Sequence, residues 1–101
     1  RLVLQCDDGA AMGDNHRLGV VEFSGAEDAS NNRQTGASIQ AMCDAAWSAS
    51  ENGTRLEFYT MDGNAASELS LTLDSDLLAT FAGGVTVTGT ITGDVTGKER
   101  L

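Results

Sequence analysis

Apolar and polar residues alternate with a period of two through most of this sequence, the pattern of strands that have one wet face. In residues 1–6, Leu2, Leu4 and Cys6 share one side, and Arg1, Val3 and Gln5 share the other. Val21 and Phe23 oppose Glu22, and Ile39, Ala41 and Cys43 oppose Ser38, Gln40, Met42 and Asp44. Leu56 and Phe58 oppose Arg55, Glu57 and Tyr59. The alternation is cleanest where Leu69, Leu71 and Leu73 are interleaved with Glu68, Ser70, Thr72 and Asp74. Clusters of Gly, Asn, Asp and Ser at residues 7–15, 27–36, 48–53 and 62–67 separate these runs. Such residues turn a chain through positive φ and through side-chain bonds to their own backbone. The pattern predicts an all-β unit over residues 1–76, an antiparallel meander or sandwich.

Two stretches depart from it. Ala41, Ala45, Ala46 and Ala49 are spaced to line a helix face, but the strand alternation holds to Asp44. Residues 45–50 then form either a helical turn or a loop that places Trp47 over the open end of the sheet. From Leu77 the character changes. After Gly83 and Gly84, Val85, Val87, Gly89, Ile91, Gly93, Val95 and Gly97 alternate with Thr86, Thr88, Thr90, Thr92, Asp94 and Thr96. As one strand this run would extend about 40 Å, longer than the usual globular strand. It predicts a Gly/Thr-rich β-stalk over residues 77–97, with 98–101 opening a following segment. A lone chain would leave the stalk as an unpaired apolar edge. Three chains wound about a common axis would bury Val85, Val87, Ile91 and Val95 as a trimer interface. The alternative is an edge hairpin with a Gly-rich bend.

Composition strengthens the expectation of partners. Leu, Ile, Val and Phe number 21 of 101 residues, which makes a thin core for a domain that must bury most of its extended-chain surface by itself. The chain reads as a piece of a longer protein. A net charge of −9 argues against a nucleic-acid partner, because a phosphate backbone is held by cations that release its counterions. Cys6 and Cys43 form no CxxC pair, so buried free thiols are expected in place of a zinc site or a disulfide framework. No apolar run reaches the ~18 residues of a membrane span, and no signal peptide is expected.

Candidate chemistry is sparse. His16 is the single histidine and lies in a polar loop, where solvation accounts for it better than a triad or a metal cluster. The GxSxG and HExxH patterns are absent. Residues 93–98 have the flavour of a P-loop, but the spacing is one residue short and Glu99 stands where Ser or Thr is required. Asp7, Asp8 and Asp14, or Asp62, Asn64 and Glu68, offer oxygens to Ca²⁺, although acidic turns explain them better. The reading is a non-enzymatic chain without cofactor or resident metal. Trp47 and Tyr59 are candidate receptor contacts through stacking on sugars.

One set of segments goes further. Arg17-Leu18-Gly19-Val20-Val21-Glu22-Phe23-Ser24-Gly25-Ala26-Glu27-Asp28 resembles the LGxIxFSGxD element of many phage tail-fibre and tailspike-like proteins. Thr35-Gly36-Ala37-Ser38-Ile39-Gln40-Ala41 is similar to their GAxIxA strand, and Thr54-Arg55-Leu56-Glu57-Phe58-Tyr59-Thr60 to LxFYT. Residues 67–75 stand where that family has sExLxIDSxG, and Leu2-Val3-Leu4-Gln5 fits its opening LxLQ strand. The order of these elements spans residues 1–97, and the chain departs from it after Asp76, where Leu77-Leu78-Ala79-Thr80-Phe81 replaces a frequent Gly-Asn. The resemblance implies a homotrimeric structural module of a virion appendage, assembled in the host cytoplasm. Its partners would be copies of itself, other appendage proteins and a host surface glycan or protein, with no membrane insertion. A receptor- or glycan-binding module of the same fibre is the alternative.

Overall fold

The computed structural model describes residues 1–63 and 66–94. Within them the chain is all-β and contains no helix. Five strands, β1 (Arg17–Ala26), β2 (Arg33–Cys43), β3 (Thr54–Met61), β4 (Ser67–Leu73) and β5 (Ala79–Phe81), form one antiparallel sheet in the order β1-β2-β3-β4-β5. This is the meander, without a second sheet among the described residues. The β1–β2 and β4–β5 connections are short polar turns, whereas residues 44–53 between β2 and β3 form a longer loop. In the β1–β2 loop, for example, Asp28 accepts hydrogen bonds from the Ser30 and Asn32 backbone N–H groups and the Asn32 side chain.

The pairing divides the sheet into two chemically distinct faces, because directly opposed residues of antiparallel strands point the same way. Val21 opposes Ile39, Ile39 opposes Phe58, Ala41 opposes Leu56, Leu56 opposes Leu73, and Leu71 opposes Phe81. These make an apolar face. On the reverse, Glu22 opposes Ser38, Gln40 opposes Glu57, and Ser38 opposes Tyr59.

Three register shifts adjust the pattern. One skips Leu18 between the Arg17–Met42 and Gly19–Ala41 pairs, and Leu18 joins Leu4, Val21 and Ile39 around a depression on the apolar face. The second skips Gly36. The third lies opposite Phe58 and Tyr59 and pairs Leu69 with Tyr59 but Leu71 with Phe58. Leu69 is thereby turned onto the face of Tyr59, so the three leucines of β4 do not share one side as their alternation predicts. An extra residue in the ladder reverses the parity that sequence periodicity assumes.

Residues 1–6 also differ from expectation, because they form no strand. Leu4 instead lies across the apolar face at Gly19, where a Cβ added to the glycine would come within 2.7 Å of the Leu4 Cβ. Leu4 thus meets the sheet by side-chain contact and not by a backbone ladder, while Leu2 stays exposed. Gly19→Ala is expected to displace this segment and to destabilise the fold by about 1–3 kcal/mol, the usual penalty for overpacking. Urea unfolding curves measure it.

Residues 45–50 form no helix; a single bridge joins Ser48 to Glu51. β5, by contrast, lies within the expected stalk and yet belongs to the sheet. It follows a turn in which Asp74 Oδ1 accepts from the backbone N–H groups of Asp76 and Leu78, with Leu77 in the left-handed region at φ 66°. Beyond β5, residues 82–94 make no strand pairing. Val95 and the rest of the expected stalk lie outside the described residues.

Candidate functional site

Two side chains make up the fully packed apolar interior of the described residues, Met12 and Cys43. Both belong to one corner, where the loop before β1 is stitched to the end of β2. Asn15 N–H donates to the Cys43 carbonyl at 2.9 Å, Cys43 N–H to His16 at 2.8 Å, and Trp47 N–H to Met12 at 2.8 Å. Cys43 is fully enclosed, and burial pushes its thiol pKa up, whereas Cys6 is exposed. Free thiols were expected, but only one of the two is buried.

The reverse face holds a charge cluster that composition alone did not reveal. Glu57 is 7% exposed. Its Oε1 accepts from Gln40 Nε2 at 2.7 Å and from the Tyr59 hydroxyl at 3.0 Å, and its Oε2 accepts from Arg55 Nε at 2.7 Å. The same guanidinium donates to Asp44 Oδ1 and Asn15 Oδ1, each at 2.9 Å, and to the Cys43 carbonyl at 3.3 Å. Asp44 Oδ2 also accepts from the Ser75 N–H. One cation therefore joins the loop before β1, the end of β2, β3 and, through Asp44, the turn after β4.

The electrostatics follow from that geometry. Burial pushes the Glu57 carboxyl up, but hydrogen bonds from Arg55, Gln40 and Tyr59 outweigh it and hold the group below the usual carboxylate range. Arg55 and then the Ser75 N–H lower Asp44 in the same direction. Burial and then the bond to Glu57 raise the Tyr59 phenol. No buried side-chain nitrogen or oxygen among the described residues is left without a partner. Such a satisfied cluster has the form of a structural brace. The available sequence signal was Arg55 and Glu57 two residues apart on one strand face, with Gln40 across from them.

The aromatic candidates are not brought together. Tyr59 is bound to Glu57 and lines a shallow depression with Arg17, Val20 and Glu22. Trp47 is half-buried, donates from its indole N–H to the Gly53 carbonyl at 3.0 Å, and borders a separate open cleft of about 440 Å³ with Gln5, Asp7 and Asn52. His16 accepts from Gly13 N–H through Nδ1, and Asp7 and Asp8 each accept a backbone N–H two residues ahead. Among the described residues no three His, Cys, Asp or Glu side chains converge as metal ligands; Asn64 lies outside them. Of the expected trimer contacts, Val85, Val87 and Ile91 stand 62%, 46% and 57% exposed, and Val95 lies outside the described residues.

The features that could act on another molecule are thus surfaces: the apolar sheet face, the residues after β5, and the cleft beside Trp47. Comparison with known proteins adds no identity to them, since no family model and no curated protein matches the chain.

Proposed function

We propose that this chain is a non-enzymatic structural module of a viral tail fibre or related virion appendage, one of three identical chains in a shaft that supports host attachment. The carrying observation is the exposure of Val85, Val87 and Ile91 in a segment without strand pairing of its own. β-branched residues alternating with Thr and Gly have strong strand preference, and an isolated chain leaves their backbone and side chains unused. In the trimer, copies of Val85, Val87, Ile91 and Val95 face one another along the axis. The order of segments resembling the tail-fibre family supports this reading, as does the position of four of them on β1 to β4. Other appendage proteins would be its neighbours in the virion, after assembly in the host cytoplasm.

Native mass measurement at micromolar concentration tests the proposal, with a species of three chains as the expected result. A folded monomer under those conditions would overturn it. A receptor-binding role for the same module is favoured by one observation, the cleft in which the Trp47 ring stands beside the polar groups of Gln5, Asp7 and Asn52. A sugar face can stack on such a ring while its hydroxyls meet the flanking groups. Binding to host surface polysaccharides that disappears in Trp47→Ala is the expected result for that role, and silence across them would remove it.

A further inference from the structure

The two faces of the sheet differ in how they are completed. Within the reverse face, Gln40, Arg55, Glu57 and Tyr59 satisfy one another. The apolar face is not completed. Leu4 covers it only around Gly19, and Val21, Phe23, Leu56, Leu73 and Phe81 remain 38–54% exposed. A layer of this kind ordinarily packs on a second layer about 10 Å away. None is present among the described residues.

We infer that this face, centred on Ile39, Leu56, Phe58 and Leu71, packs against the same face of other copies of this chain. Area points to a partner. A folded monomer of this mass exposes roughly 5,400 Å², whereas the chain exposes 7773 Å². The roughly 2,300 Å² of excess is shared between this face and the exposed residues 1–11 and 82–94, and it exceeds the ~800 Å² per partner of a standard interface.

Charge points to a copy. The chain carries −9, so two copies repel unless their contact avoids acidic groups. The register places Val21, Phe23, Ala37, Ile39, Ala41, Leu56, Phe58, Leu71, Leu73, Ala79 and Phe81 on this face with no charge among them, and puts Glu68, opposite Thr60, at one edge of it. A basic partner would find one carboxylate at the edge and none at the centre, while a second identical face meets the uncharged centre with like charge only at that edge. The inference rests on the assembly of identical chains proposed above and adds where they touch. The seam includes the sheet and is not confined to residues 85–95.

Sedimentation of the full chain, of Leu56→Glu and of Val87→Glu separates the two claims. Leu56→Glu would bury an unpaired carboxylate in the seam, and association is expected to weaken about a hundredfold, while Val87→Glu retains an oligomer through the sheet. Dissociation of Val87→Glu alone, with Leu56→Glu still assembled, would overturn the sheet seam and leave the fibre reading standing. A parent chain that stays monomeric overturns both. Because Leu56→Glu can also unfold the sheet, benzoylphenylalanine in place of Phe23 gives an independent measure. Irradiation is expected to link it to another chain, and photoproducts confined to its own chain would reject the seam.

Discussion

Arg55→Met is expected to destabilise the chain by about 3–5 kcal/mol, the usual consequence of removing one partner from a buried ion cluster. Methionine keeps the volume of the stem but removes the donors that meet Glu57, Asp44, Asn15 and the Cys43 carbonyl. Glu57 is then a carboxylate in a poorly hydrated place with only Gln40 and Tyr59 as donors. The pH dependence distinguishes this cause from lost packing. In the parent, the folded pKa values of Asp44 and Glu57 lie below their unfolded values. Their stabilisation is therefore fully present above the unfolded values near pH ~4 and is lost as pH falls through the folded ones. In the variant, burial acts on Glu57 without the compensating cation, so protonation relieves it. The difference in stability between parent and variant should narrow on acidification. A constant gap in denaturant titrations between pH 7 and pH 3 would show that the cluster contributes packing and not charge.

The second large effect concerns Met12, which belongs to the small buried corner with Cys43. Met12→Ala is expected to cost about 2–5 kcal/mol, and the damage should be local before it is global. In the parent, Cys6 is exposed and should react promptly with a thiol reagent, while the enclosed Cys43, whose pKa is raised by burial, should react only when the corner opens. The variant should expose Cys43 to modification under conditions where the sheet still gives its strand signal. Equal protection of Cys43 in both proteins would mean that the loop bonds to Asn15, His16 and Trp47 hold the corner without the methionine side chain.

The central strands were the legible part of the fold. β2, β3 and β4 combine alternation with flanking Gly, Asn, Asp and Ser, and each information source agrees with the others. Alternation says that a segment has two faces, but not what meets them. Residues 1–6 have strand periodicity, yet they pair with no strand, and only Leu4 touches the sheet, at Gly19. Leu69 turned to the other face because a register shift consumes one residue, an event that leaves no mark on the hydrophobic pattern. β5 was illegible because three residues are too short to show a period.

The candidate surfaces show the same division. Gln40, Arg55, Glu57 and Tyr59 were assigned to a wet face, and the residue types gave no reason to expect the carboxylate to be nearly enclosed. Which polar groups converge depends on cross-strand register, and that depends on turns and bulges. The apolar face was easier, since its members were named strand by strand; what the sequence left open was how little of the chain itself would cover them. Trp47 and Tyr59, grouped by chemistry, are separated by topology into different depressions.

The brace around Arg55 has a consequence for how such a chain comes together. Every group it ties belongs to the same polypeptide, and sliding β3 by a single residue would drag Arg55 and Glu57 together onto the greasy side and part them from Asp44, Asn15 and Gln40. Strand alignment is thereby decided privately, by polar bonds that need no neighbour. The oily surface, which tolerates many partners and discriminates poorly among alignments, is left with the simpler task of adhesion once the alignment exists.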